Sequence, residues 1–237
     1  MLDQILDRNV DTNSKPMTRE FFANVYSYMF AALAITGVIA WYMGSDIDNV
    51  IFMFNERGLS PMGYLVMFAP VLVVLAIQFG YSRLSMPVLL FLFVLYSVLL
   101  GVSLSSIFLI YSIGSIASTF FITAGTFGAM AVLGYTTKTD LSKFGSIMYM
   151  LFIGIFIASL VNMFMQSDSL SWIISFVGIF VFTGLTAWEM QRLKYIASDP
   201  SLDGASRSKL ALIGGLQLYI LFINLFLSLL RILGSRE

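Results

Sequence analysis

Long uncharged runs dominate the chain, and short polar stretches interrupt them at near-regular intervals. A helix needs roughly 20 apolar residues to cross about 30 Å of hydrocarbon at 1.5 Å per residue. The first run of that length is Phe22–Met43, which ends in Trp41 and Tyr42, side chains suited to a membrane interface. A second covers Gly63–Phe79, with Pro70 expected to bend it. From Pro87 to Leu133 there is no charge at all, and this stretch suits two crossings broken near Tyr111–Ser115. Runs at Gly145–Met165, Leu170–Trp188 and Leu210–Leu233 bring the count to seven. The expected fold class is all-α and integral to the membrane. A single seven-helix membrane domain spans residues 22–233, between an N-terminal tail (1–21) and a C-terminal tail (234–237).

The intervening segments are polar. Gly44–Met62 holds Asp46, Asp48, Glu56, Arg57 and Pro61, and Tyr81–Met86 is a tight turn carrying Arg83. Gln191–Lys209 is the longest polar segment and reads as a loop. With the N-terminus placed in the cytoplasm, ten of the 13 basic residues fall inside: Arg8, Lys15, Arg19, Arg83, Lys138, Lys143, Arg192, Lys194, Arg207 and Lys209. Arg57, Arg231 and Arg236 fall outside, so the positive-inside bias favours a cytoplasmic N-terminus and an outer C-terminus, provided the seventh run crosses fully. The polar first twenty residues lack the basic region, short apolar core and small-residue cleavage site of a secretory signal. A bacterial inner membrane is the expected location.

Composition narrows the chemistry. Hydrophobic residues make up 59% of the chain and charged residues 11%, against about 45–50% and 25% in soluble domains. The excess therefore covers a lipid-facing exterior, and the lipid bilayer is the first partner. Zero net charge gives no reason to expect nucleic acid. The chain has no cysteine and no histidine. This excludes disulfides, thiol nucleophiles, Ser–His hydrolysis and nearly every zinc or copper site. No lysine lies deep in a run to carry retinal, no pair of intramembrane aspartates exists for proteolysis, and there is no phosphate-binding GxxxxGK loop. Neither catalysis nor a resident cofactor is expected.

Polar residues inside the runs are the informative ones, because each needs a partner or water. Glu189 closes the sixth run in Trp188-Glu189-Met190-Gln191-Arg192. It reads either as an interfacial glutamate paired with Arg192 one turn on, or as a buried titratable carboxylate with Arg83 as counterion at the same depth. Asn162, Gln217, Tyr219, Asn224 and Gln78 are amides and a phenol suited to stitching helices together. The small-residue pairs Gly114/Ser118, Gly125/Ala129 and Gly154/Ala158 suit close helix contact. Ser45–Asn49 offers hard oxygen ligands but lacks the length, glycine and terminal glutamate of an EF-hand loop, so a solvated loop is expected there and no metal site is assigned.

Five stretches taken together resemble the Bax inhibitor-1 family, specifically its bacterial members. They are Ser115-Ile116-Ala117-Ser118-Thr119-Phe120, Gly134-Tyr135-Thr136-Thr137-Lys138-Thr139-Asp140-Leu141, Ala158-Ser159-Leu160-Val161-Asn162, Gly184-Leu185-Thr186-Ala187-Trp188-Glu189-Met190-Gln191, and Phe222-Ile223-Asn224-Leu225-Phe226-Leu227-Ser228-Leu229-Leu230-Arg231. The resemblance implies seven helices with the last one central, and a pH-sensitive calcium leak, calcium being the transported ion. In some bacterial relatives it implies instead modulation of a membrane-bound FtsH-type AAA protease. The family's pH sensor is a pair of aspartates. The first maps onto Glu189, one methylene longer. The second belongs in Tyr–Leu–Asp–Phe–Ile–Asn, where this chain reads Tyr219-Ile220-Leu221-Phe222-Ile223-Asn224, so Leu221 replaces the aspartate. Two facing carboxylates share a proton and separate when it leaves. With Leu221 there is no second carboxylate, and the gate is expected to be altered.

Overall fold

The computed structural model describes residues 2–55 and 58–235, with side chains from Met17 onward. Arg57 and Arg236, used in the charge argument, lie outside the described residues, as do the side chains of Arg8 and Lys15. Among the described residues, seven helices are long and apolar enough to cross a membrane. Helix α1 runs Leu2–Gly44, with its membrane-crossing part from Met17. A short antiparallel hairpin, β1 (Phe54–Asn55) and β2 (Gly58–Leu59), precedes α2 (Pro61–Gly80). Then follow α3 (Met86–Leu104), α4 (Ile113–Thr136), α5 (Ser142–Met165), α6 (Asp168–Ala197) and α7 (Gly204–Leu233).

Local chemistry sets several of these boundaries. Ser60 caps α2 by accepting from Gly63 N–H, and Pro61 occupies the first helical position, where its missing donor costs nothing. The helix runs unbroken through Pro70. Between α5 and α6 the chain turns in two residues, Gln166 and Ser167. Gln166 takes the left-handed conformation (φ 50°), and Asn162 Oδ1 accepts from Ser167 N–H while its Nδ2 donates to Ser171 Oγ at 2.6 Å. Asn162 is therefore spent on this turn.

Two boundaries differ from the sequence reading. The N-terminal stretch expected as a tail is already helical from Leu2, and Phe21 is fully buried. The Gln191–Lys209 segment is mostly helix as well: α6 continues to Ala197 and α7 starts at Gly204. The connection that remains is tied by Arg207, whose guanidinium donates to the carbonyls of Ala197 at 3.1 Å and Asp199 at 3.0 Å. A cation on those carbonyls complements the α6 C-terminus, which is why a charged sequence still prolongs a helix here. At 30 residues, α7 reaches about 45 Å, enough for a full crossing.

The chain divides into two compact units. One comprises Tyr28–Thr119 with the residues from Leu233 on. In it, Thr36 Oγ1 donates to the Ser97 carbonyl at 2.8 Å, and Ser97 Oγ donates to the Phe93 carbonyl. Gly101 admits α1 closely, since a Cβ there would lie 3.0 Å from the Thr36 carbonyl oxygen. Ser103 Oγ ties α3 to α2 through the Val66 carbonyl at 2.7 Å.

The other unit comprises the chain through Ser27 and Phe120–Ile232. Its α7 is the most buried crossing of the seven, with 67% of its apolar window inside, as a central last helix requires. Phe222 of α7 meets Phe120 and Phe127 of α4 edge-on. Helix α6 is approached through glycines: Gly134 of α4 abuts the Ala187 backbone, Gly145 of α5 abuts the Trp188 ring, and Gly214 of α7 abuts Leu193. The small residues singled out by spacing behave otherwise. A Cβ at Gly114, Gly125 or Gly154 would meet nothing within 4 Å among the described residues, because spacing alone does not say which face turns inward. Gly134→Ala should therefore destabilise the protein by about 1–3 kcal/mol, since backbone cannot yield to the added methyl. Gly125→Ala should leave thermal unfolding in detergent unchanged, and equal melting of the two variants would contradict this packing.

Candidate functional site

Helix α6 begins on Ser167, whose Oγ accepts from Leu170 N–H, with Asp168 in its first turn and Lys194 in its last, both favourable for the helix dipole. About five turns of mostly apolar sequence carry it to Glu189, which is only 3% exposed. A carboxylate at that depth needs a partner, and Arg192 Nη1 supplies it at 3.1 and 3.3 Å from the two oxygens. The same Nη1 lies 3.2 Å from Gln217 Oε1 of α7. One nitrogen thus joins α6 to α7 through a shared donor, while the rest of the Arg192 side chain stays partly exposed and lies over the Trp188 ring at 5.9 Å.

Of the two readings of Glu189, burial and pairing with Arg192 hold together. The counterion is Arg192 and not Arg83, which sits in the turn after α2 and belongs to the other unit. Along α7, Gln217, Leu221 and Asn224 fall one turn apart on one face, and each is half-buried. Their neighbours Leu218, Tyr219, Phe222 and Ile223 are buried. Asn224 Nδ2 donates to the Ile220 carbonyl within its own helix, and Leu221 breaks the run of polar groups between Gln217 and Asn224.

Gln191 is a residue the sequence did not single out. It is buried, and its amide clamps the α4–α5 connection: Nε2 donates to the Thr139 carbonyl and Oε1 accepts from Leu141 N–H, both at 2.8 Å. Lys194 Nζ donates to the Tyr135 carbonyl at 2.8 Å and lies over that residue's ring. At the same connection, outside the membrane-crossing segments, hydrogen bonds from Ser142 hold the Asp140 carboxyl below the usual carboxylate range. The signal available for Gln191 was only its position: an amide two residues past a buried acid, with Lys194 three further on.

Seven apolar helices, with a satisfied ion pair inside the most enclosed pair of them, define an all-helical integral membrane protein. Comparison with known proteins places it: the chain belongs to the Bax inhibitor-1 family, matching the family described as "Inhibitor of apoptosis-promoting Bax1" over residues 18–237. It is 43% identical over 218 residues to the inner membrane protein YbhL of Escherichia coli K12, covering 92% of each chain. An uncharacterized protein of Rickettsia prowazekii is 41% identical, covering 97% of this chain and 98% of the other. An uncharacterized membrane protein of Streptococcus pyogenes is 31% identical, covering 98% and 99%.

The ion pair makes a quantitative expectation. Arg192→Leu leaves Glu189 buried and unpaired, which should cost about 3 kcal/mol, less whatever water the half-open site admits. Combining it with Glu189→Leu should recover most of that loss, since no charge is then stranded. Additive losses in detergent unfolding would show that the pair is not coupled.

Proposed function

We propose that this protein is a slow calcium leak of the bacterial inner membrane, with Glu189 as its cation-attracting group and a pH response altered by Leu221. The observation that supports this reading is the Glu189–Arg192–Gln217 cluster: a carboxylate in a membrane-crossing helix whose neutralising cation has a second acceptor on the next helix. Withdrawing Nη1 onto Gln217 frees the carboxylate for a passing cation without stranding the guanidinium, which keeps one hydrogen bond throughout. Calcium prefers such oxygen donors.

Leu221 keeps this leak slow. A hydrated cation moving along the Gln217–Leu221–Asn224 face meets an apolar side chain between two amides and loses water there without compensation. With a single carboxylate in place of a proton-sharing pair, protonation controls less of the path. The likeness to an inner membrane protein of Escherichia coli supports the location.

Calcium flux into phosphatidylcholine vesicles holding the purified protein, followed from pH 5 to 8, tests this. Flux should exceed that of empty vesicles and fall several-fold in Glu189→Gln. Leu221→Asp should raise it and steepen its pH dependence. Absence of flux at every pH overturns the leak. The protease-modulating reading would then be tested by removing residues 2–16, a change that a leak tolerates and a protein contact does not.

A further inference from the structure

Among its described residues, the segment joining α1 to α2 is folded and carries apolar side chains on its outside next to the exposed Asp46 and Asp48. Val50 and Met53 point inward and are buried, and Gly63 at the start of α2 lies against the Met53 carbonyl. The backbone settles its own hydrogen bonds. Ser60 N–H donates to the Met53 carbonyl at 2.9 Å, Ser60 Oγ donates to the Phe52 carbonyl at 2.6 Å, and Asp46 Oδ1 accepts from Asp48 N–H. Yet Ile47, Ile51, Phe52 and Phe54 face outward, Ile47 and Ile51 with well over half their surface exposed.

Water is a poor medium for four such side chains on so few residues. The interface between water and hydrocarbon is a good one, where the backbone bonds from Asn49, Val50, Met53 and Ser60 N–H spare those donors the cost of leaving water. Position agrees. Trp41 and Tyr42, in the last turn of α1, and Tyr64, in the first turn of α2, are all exposed. Such aromatic side chains settle at headgroup level. The segment they bracket must lie at that level too, continuous with the lipid-facing surfaces of the two helices it joins.

We propose that the described residues of this connection, 45–55 and 58–60, form an interfacial cap seated in the leaflet where α1 ends, with Ile47, Ile51, Phe52 and Phe54 inserted at the headgroup–acyl boundary. The occupant of this surface is the lipid interface itself and not an anionic headgroup: Asp46, Asp48 and Glu56 outnumber Arg57 in the segment. Insertion is therefore driven by apolar side chains and is indifferent to anionic lipid.

The absence of native cysteine makes the test direct. Single variants Ile51→Cys and Phe54→Cys carry a nitroxide, with Leu72→Cys in mid-α2 as the hydrocarbon reference and Ser198→Cys in the α6–α7 connection as the aqueous one. In full-length protein reconstituted in phosphatidylcholine alone, the oxygen-to-nickel-chelate accessibility ratio at residues 51 and 54 should exceed that at 198 several-fold and fall below that at 72. Adding phosphatidylglycerol should not change it. Ratios equal to that at Ser198 overturn the proposal, and so does a rise that requires phosphatidylglycerol. Since all four positions are exposed, labelling leaves the packing intact, and Ile51→Cys carrying a charged label instead of the nitroxide should lower the ratio at a second label on Phe54→Cys.

Discussion

Helix α6 receives its neighbours through residues that have no side chain. Gly134, Gly145 and Gly214 bring α4, α5 and α7 against Ala187, Trp188 and Leu193, all within two turns of one helix. In a membrane, lipid is as apolar as leucine, so helices gain little by hiding apolar surface and must gain instead from close contact. Those two turns also hold Glu189, Gln191 and Arg192. Close approach covers the carboxylate, and the burial of Glu189 follows from it as much as from its own place in the sequence. Loosening any one of the glycine contacts would change the surroundings of the charge.

That arrangement explains how an acid survives at membrane depth. Glu189 is answered on its own helix by Arg192, one turn on, and Arg192 is answered on α7 by Gln217. Every member of the cluster is polar, and Arg192 Nη1 is the common donor, to the Glu189 carboxylate and to Gln217 Oε1. Gln191 faces another way and closes the α4–α5 connection, so two adjacent polar stretches of α6 serve two different neighbours. The same helix holds a charge and fastens a loop.

The membrane character and all seven crossings were legible because hydrocarbon demands long uncharged runs, a signal that needs no tertiary context. The extent of the helices was less legible. Polar residues from Gln191 to Lys194 read as a loop, but a helix emerging from lipid keeps its hydrogen bonds in water, and Arg207 supplies the carbonyls at its end. Small-residue spacing misled for a geometric reason: Gly154 and Ala158 share a helix face, but only the fold decides whether that face meets protein or lipid. The counterion of Glu189 was open between a near residue and a distant one, and the near one holds it. The departure at Leu221 was visible in the sequence alone, while its place between two amides on one half-buried face needed the helix.

The tie made by Arg207 has a mechanical side. Two long helices joined by a turn that one guanidinium fastens to the backbone form a pair of tongs closed at the pivot. Any sliding of α7 past α6 along their length would have to break the Arg207 bonds to the Ala197 and Asp199 carbonyls. Gln217 stands ten residues from Arg207, near that fastening, and Ser228, against Gly178, stands 21 residues from it. The ion pair and its α7 acceptor therefore lie at the fastened end of the two helices, not at the free one.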